Sequence, residues 1–305
     1  MKEEEILKII KNITGDKYIG DDCAYLRELG IVVSQDSLVE DVHFCLKYMS
    51  PYQLGYKSGK VNISDIYASG GVPKYLSVAL SLPKDISMDF VKEFYRGLSD
   101  TIGSVEIIGG DITGSDKIVI SIAVIGIDKN RKISSRKYAK SGYVVVTNGE
   151  YGSSAGGLRL LQNNKKSSET LIRSHLEPFI DKKMPEEIAM NIRENYAMMD
   201  TSDGLADALF KIAKSSNVTI LLDFNKVKYN DDLKKLFPKD YKNMILFGGE
   251  DYKIIAAIPE EFAKKYNYNI IGRVIDKTET PLKVINFDNK ELNITDLEKC
   301  YNHFL

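Results

Sequence analysis

Aspartate beside glycine or serine recurs along the chain, at Gly20-Asp21-Asp22, Ser34-Gln35-Asp36, Ser64-Asp65, Gly109-Gly110-Asp111, Asp200-Thr201-Ser202-Asp203 and Gly249-Glu250-Asp251. Any one of these is explained as well by turn formation, because Asp and Gly are standard turn residues. Six of them, several directly after apolar runs, put carboxylates repeatedly at expected strand ends or helix starts. Collected in space, they form the oxygen-rich site a hard divalent ion requires. Mg2+ takes oxygen ligands in an octahedron, keeps waters and commonly bridges protein carboxylates to substrate phosphates. The histidines, His43, His175 and His303, stand isolated in the sequence, which argues against a zinc or iron site.

Familiar phosphate and hydrolase motifs are missing. Gly55-Tyr56-Lys57-Ser58-Gly59-Lys60 has one residue too few between its glycines for a Walker A loop, and Val61 stands where Ser or Thr belongs. There is no GxGxxG, no kinase HRD or DFG set and no GxSxG elbow. The stretch from Gly149 to Leu158 (GEYGSSAGGL) offers backbone N–H groups that a phosphate can use. A glycine-rich connector is the plainer reading.

The elements that must position these residues alternate. Ile31-Val32-Val33, Tyr75 to Leu82, Val105 to Ile108, Lys117 to Ile125 and Tyr143 to Thr147 read as strands. Tyr52 to Ser69 reads as a helix with Leu54, Val61 and Ile66 inward, and Ser87 to Ile102 carries apolar residues at amphipathic spacing. In the second half, helices are expected at Ser154 to Gln162, Pro185 to Tyr196 and Leu205 to Ser215. Strands are expected there at Val218 to Leu222, Asp251 to Ile258 and Asn269 to Val274. The polar, basic stretch from Asp128 to Ser141 marks a boundary, giving domains 1–135 and 136–305. Ser-Asp before a helical stretch and Gly-Gly beside a strand occur in both halves, which chance explains as well as duplication.

Composition narrows the class. The 305 residues carry 42 Lys+Arg against 43 Asp+Glu, a net charge of −1, so no basic surplus points to nucleic acid. Hydrophobic residues at 43% and charged residues at 28% are those of an ordinary globular protein. No run reaches the roughly 18 apolar residues of a membrane span, and Met1-Lys2-Glu3-Glu4-Glu5 is too acidic for a signal peptide. Cys23, Cys45 and Cys300, without a CxxC, exclude a disulfide framework or cysteine zinc site and fit a reducing cytoplasm.

Together the motifs resemble the thiamine-phosphate kinase family, part of the aminoimidazole ribonucleotide synthetase superfamily of ATP-dependent enzymes. The resemblance rests on IGDDCAYL (19–26), SQDSLVEDVHF (34–44), YKSGKVNISDIYASGGVP (56–73), GGDIT (109–113), RKYAKSG (136–142), GSSAGGL (152–158), MDTSDGLADAL (199–209) and GGEDYKI (248–254). It implies a two-domain α/β fold, the N-terminal sheet dimerising into a barrel, with ATP in the cleft before a C-terminal α/β domain. It implies transfer of the γ-phosphoryl group of ATP to thiamine monophosphate by direct in-line displacement with Mg2+, in a homodimer. Carried over by residue, Asp22, Ser34, Gln35, Asp36, Asp65, Asp111, Asp200 and Asp203 hold Mg2+. Gly110, Asp111, Arg136 and Ser202 contact ATP, and His43 and Glu250 lie at the thiamine phosphate. Asp111, Asp203 and Arg136 are then the residues nearest the reaction.

This fits the chemistry, since a phosphate oxygen is anionic near neutral pH and needs alignment and charge neutralisation rather than a general base. Gln35 stands where the family has Thr, Gly114 where it has Arg, and Glu298 where it often has a Trp that stacks on thiamine. Tyr301 either substitutes for that Trp or packs the C-terminus onto the domain, and the sequence leaves both readings open. Two other readings remain open here. One is another ATP-using member of the superfamily, of the aminoimidazole ribonucleotide synthetase or hydrogenase-maturation type. The other is a nucleotide-binding regulator without turnover. The chain lacks the C-terminal cysteine tail of the hydrogenase-maturation type and the reactive N-terminal Cys/Lys loop of selenophosphate synthetases.

Overall fold

Residues 3–15 and 17–301 are described by the computed structural model; His303 lies outside them. The first half runs α1 (Glu3–Thr14), β1 (Ala24–Leu26), β2 (Ile31–Val39), α2 (Pro51–Ser69), β3 (Val72–Leu82), α3 (Met88–Ile102), β4 (Glu106–Gly114) and β5 (Val119–Ile127). Its five strands are ordered β1-β2-β5-β3-β4, with only β3 and β4 parallel. Alternation decides what each face does. Val32, Leu38, Leu76, Val78, Leu80, Ile120, Ile122 and Val124 are buried against α2 and α3. Gln35, Ser37, Tyr75, Ala79, Ser121 and Ala123 lie on the opposite, open face, and every residue of β4 is exposed.

α2 begins with a capping box between Ser50 and Gln53 and a proline in its first turn, and a left-handed Gly70 ends it. It lies against α3 so closely that a Cβ on Gly97 would sit 1.9 Å from the Tyr52 carbonyl oxygen.

The second half runs β6 (Val144–Thr147), α4 (Ser153–Gln162), α5 (Glu169–Leu176), α6 (Lys183–Asn191), β7 (Ala197–Asp200), α7 (Leu205–Ser216), β8 (Thr219–Asp223), α8 (Asp231–Leu236), α9 (Tyr241–Phe247), β9 (Ile254–Ile258), α10 (Glu260–Lys265), β10 (Asn269–Ile275), β11 (Leu282–Phe287) and β12 (Lys290–Ile294). Seven strands form one mixed sheet, β12-β11-β8-β10-β6-β9-β7. β6, β9 and the edge strand β7 are covered on both faces, so they are apolar runs rather than alternating ones. Val145, Met199 and Ile255 face one core, and Val144, Met198 and Ile254 another that includes Val61 of α2. α2 is thus wedged between the two halves.

Several expectations shift. β2 continues through Ser34-Gln35-Asp36-Ser37 to Val39 because Ser34 and Leu38 point inward while Gln35 points out. The helix expected over 185–196 stops at Asn191, where the chain turns to deliver β7 to its pairing with β9. Residues 251–253 are outside β9. Ser64-Asp65 lies inside α2 and Gly109-Gly110-Asp111 inside β4, so the two halves do not place their shared dipeptides alike. Among the described residues no helix is long and apolar enough to cross a membrane, and the cysteines are unpaired.

Candidate functional site

Successive residues of α2 face different elements, which puts Ser64 and Asp65 at the seam between the halves. Ser64 Oγ donates to Asp200 Oδ2 at the end of β7 at 2.5 Å. Asp65 accepts from Ser34 Oγ on β2, and Asn62, one turn earlier, accepts the Asp36 N–H at 3.2 Å. Asp22, in the segment before β1, completes a group with Asp65 and Asp200 whose carboxylate oxygens lie within 4.8 Å of one another.

Burial, then repulsion from Asp36, Asp200 and Asp22, drives the Asp65 carboxyl well above the ordinary range. Asp200 is pushed up to about 7 by burial and by Asp22, and Asp36 to about 6 by burial, Asp203 and Asp22. Asp22 rises through burial even though Arg136 lies 2.6 Å away. Across the seam, Lys211 sits 3.0 Å from Asp203 and 2.8 Å from Asp207. These two cations serve Asp22, Asp203 and Asp207. Among the described residues no lysine or arginine pairs with Asp36, Asp65 or Asp200. Buried carboxylates crowded without counter-charge are what a divalent cation satisfies, so these residues fit Mg2+.

A cavity of about 590 Å3 opens beside the cluster. Asp36, Ser202 and Asp203 line its acidic end, and His43, Glu250 and Tyr301 also line it. Residues separated by up to 265 positions in sequence therefore share one space. Its aromatic lining is Phe44, Tyr48, Tyr252 and Tyr301. His43 Nδ1 accepts the Val39 N–H at 3.0 Å, which puts the proton of the neutral ring on Nε2. Glu250 adopts a left-handed backbone, φ 65°, and its N–H donates to the Ser202 carbonyl at 2.6 Å. Such a conformation in a bulky residue costs of order 1–3 kcal/mol and is found where the side chain has to be aimed.

Other sequence-picked residues are placed differently. The Gln35 side chain donates to Ser121 Oγ on the open face of the sheet, away from the acidic cluster. Asp111 pairs in register with Ala79 and, through it, with Ser121 and Ser37, so it too belongs to the open face. Three strand spacings separate it from β2, about 14 Å. Gly110 is required by packing, since a Cβ there would meet the Val78 carbonyl oxygen at 1.7 Å. In the glycine-rich connector, the N–H groups of Gly152 and Ser154 that a phosphate could use are already held by the Asp251 carboxylate at 2.6 and 3.0 Å. The histidines are not isolated in space, because His43 and His175 line the same cavity. Lys57 and His175 escaped the sequence reading although both reach Glu250. Lys57 lies one turn before Val61 and two before Ser64, and that spacing on an inward face was the available signal.

The AIR synthase related protein, N-terminal domain, family matches residues 20–127. The thiamine-monophosphate kinase of Bacillus subtilis is 35% identical, over 97% of this chain and 96% of that protein. That of Aquifex aeolicus is 34% identical, over 88% and 90%. A solved structure, AaThiL complexed with AMPPCP and TMP, superposes with a TM-score of 0.88 at 32% identity, over 99% of this chain and 97% of that one.

Proposed function

The chain belongs to the thiamine-monophosphate kinase family, and from that premise we propose how its residues transfer the γ-phosphoryl group of ATP to thiamine monophosphate, yielding thiamine diphosphate and ADP. The observation that carries this reading is the shared cavity, which joins Asp36, Ser202 and Asp203 of the acidic seam to His43, Glu250 and Tyr301. Donor and acceptor phosphates can meet there without crossing solvent. Asp22, Asp36, Asp65, Asp200 and Asp203 would hold Mg2+, which would supply neutralising charge for the phosphates.

The protein's own groups do the rest. Arg136, buried beside Asp22, presents a fixed guanidinium at the donor end. Ser202 lies between Asp200 and Glu250, its N–H on Asp200 Oδ1 and its carbonyl on the Glu250 N–H, so the ATP and acceptor ends are mechanically joined. His43 offers an Nε2–H donor for the acceptor phosphate. Tyr48, Tyr252 and Tyr301 give the acceptor ring aromatic surface in place of the family's Trp. No general base is required, because the attacking phosphate oxygen already carries negative charge.

The division into 1–135 and 136–305 follows the two sheets, and the protein acts as a homodimer in the cytoplasm. The open face and fully exposed β4, with Ile108 and Ile112 uncovered, support self-association into a barrel, since an exposed apolar edge invites pairing. A second copy also supplies the means for Asp111 to reach an acidic cluster it cannot approach within one chain. Purified protein incubated with ATP, Mg2+ and thiamine monophosphate is expected to form thiamine diphosphate and ADP in equal amounts. ADP release independent of the acceptor, or none at all, would count against the reading.

A further inference from the structure

Two buried basic side chains have no part in the reaction described above, yet both are directed at Glu250. Lys57, on the inward face of α2, is fully buried with Nζ 2.9 Å from Glu250 Oε1. His175, on α5 and 2% exposed, places Nδ1 3.3 Å from Glu250 Oε2 and 3.1 Å from Ser154 Oγ. Two helices, α2 and α5, thus converge on a single carboxylate carried by a strained loop.

A buried ion pair is a poor way to hold a fold together. Desolvating both charges costs several kcal/mol per ion, and apolar residues of similar volume often serve equally well. Val61, one turn along α2, shows that the same face accepts an apolar side chain. The two contacts also take different oxygens of Glu250, which fixes the rotation of the carboxylate as well as its place. Each oxygen keeps lone-pair capacity for a ligand.

The histidine is suited to orient without adding charge. Burial, with Lys57 alongside, depresses His175 to about 3, so the ring is neutral. With the proton on Nδ1, the nitrogen nearer the carboxylate, the N–H dipole faces Glu250 Oε2 at 3.3 Å while the hydrogen bond itself runs to Ser154 Oγ at 3.1 Å. Nε2 is then left as an acceptor, and among the described residues it has no hydrogen-bond partner. A second cation there would compete with a positively charged acceptor.

We infer that Lys57 and His175 are positioning residues that hold Glu250 ionised and rotationally fixed in the cavity wall, so that the cavity selects an acceptor bearing a cationic or N–H-donating heteroaromatic ring. The inference rests on the reading that Glu250 meets the acceptor. It extends that reading to two residues that act through Glu250.

Steady-state KM values for thiamine monophosphate and for ATP in the full chain, in wild type, K57M, E250Q and K57M/E250Q, test it. K57M should raise the acceptor KM about tenfold or more, the scale expected when one partner of a buried charge pair is removed, while the ATP KM changes less than about twofold. The double variant should match E250Q, because Lys57 acts only through Glu250. An unchanged acceptor KM in K57M, or a parallel rise for ATP, overturns the inference. If K57M does not accumulate folded, E250Q against K57M/E250Q decides alone. Equal acceptor KM values support the inference, and a further rise in the double variant overturns it. Wild-type protein that does not use thiamine monophosphate removes the acceptor assignment itself, and the inference with it.

Discussion

His175 illustrates how burial turns a titratable side chain into a fixed dipole. In the folded protein it stays neutral down to about pH 3, whereas in the unfolded chain it protonates near 6.5. Below pH 6.5 the unfolded state therefore binds a proton that the folded state refuses, and stability falls as the pH falls. Glu250 adds to this in the same direction. Burial alone would raise its pKa, but Lys57, His175 and His43 together hold it below the ordinary value. Between pH 6.5 and 5 the histidine alone should remove about 2 kcal/mol. H175Q, which keeps hydrogen-bonding capacity without titrating, should lose about 3 °C less in melting temperature over that interval than wild type. Melts of the ligand-free protein at the two pH values check this, and equal losses would show that His175 is not the group refusing the proton. At this scale the acidic residues were legible because aspartate beside serine or glycine is a visible pattern. Lys57 and His175 were not, since a lysine in a helix and a lone histidine look like surface residues until the fold buries them.

The element that organises the site is α2. Its successive residues serve opposite sides, Asn62 and Asp65 toward β2 and Ser64 toward β7, so its position sets the geometry of the whole acidic seam. That position depends on two glycines, Gly55 and Gly97, each of which would put a Cβ 1.9 Å from a carbonyl oxygen of the opposing helix. G97A should push α2 and α3 apart at a cost of about 3 kcal/mol, lowering the melting temperature by about 5 °C. The gain in melting temperature on adding Mg2+ should shrink with it, because Asp65 and Ser64 move with the helix. Thermal melts with and without Mg2+ read both effects, and a wild-type profile in G97A would mean the close approach is not needed. The long elements α3, β3 and β5 were legible from apolar spacing, whereas α2, buried on several sides with Lys57, Ser58, Asn62 and Ser64 inside, showed only Leu54, Val61 and Ile66. β2 was cut short in the reading because its inward residues include Ser34 and Asp36, polar for the sake of the site. The short helices α8, α9 and α10, of 6, 7 and 6 residues, are too brief for periodicity to show.

At the scale of the whole molecule, Asp111 is the residue whose expected role and observed place do not meet within one chain. It lies on the open face of the first sheet, on an edge strand exposed along its full length, while Asp36, Asp65 and Asp200 occupy the opposite side, against α2. Folding back would require breaking the β3–β4 pairing from Tyr75 to Leu82, whereas a second copy packed on the open face needs no such rearrangement. If the partner supplies Asp111, each active site draws its acidic seam from one protomer and Asp111 from the other. D111N and D203N homodimers should then both be nearly inactive, since each change removes a charge facing metal-bound phosphate, an interaction worth several kcal/mol in the transition state. A mixed dimer behaves differently. One of its sites combines the intact seam of the D111N protomer with the intact Asp111 of the D203N protomer, and the other site carries both lesions. Random pairing makes half the dimers mixed, each with one working site, so co-expression of the two variants should restore about a quarter of wild-type activity. Specific activity of the co-purified protein against the separately purified variants measures this. No recovery would place Asp111 in the site of its own chain or outside catalysis altogether, and light scattering that returned a monomer mass would remove the partner from the mechanism.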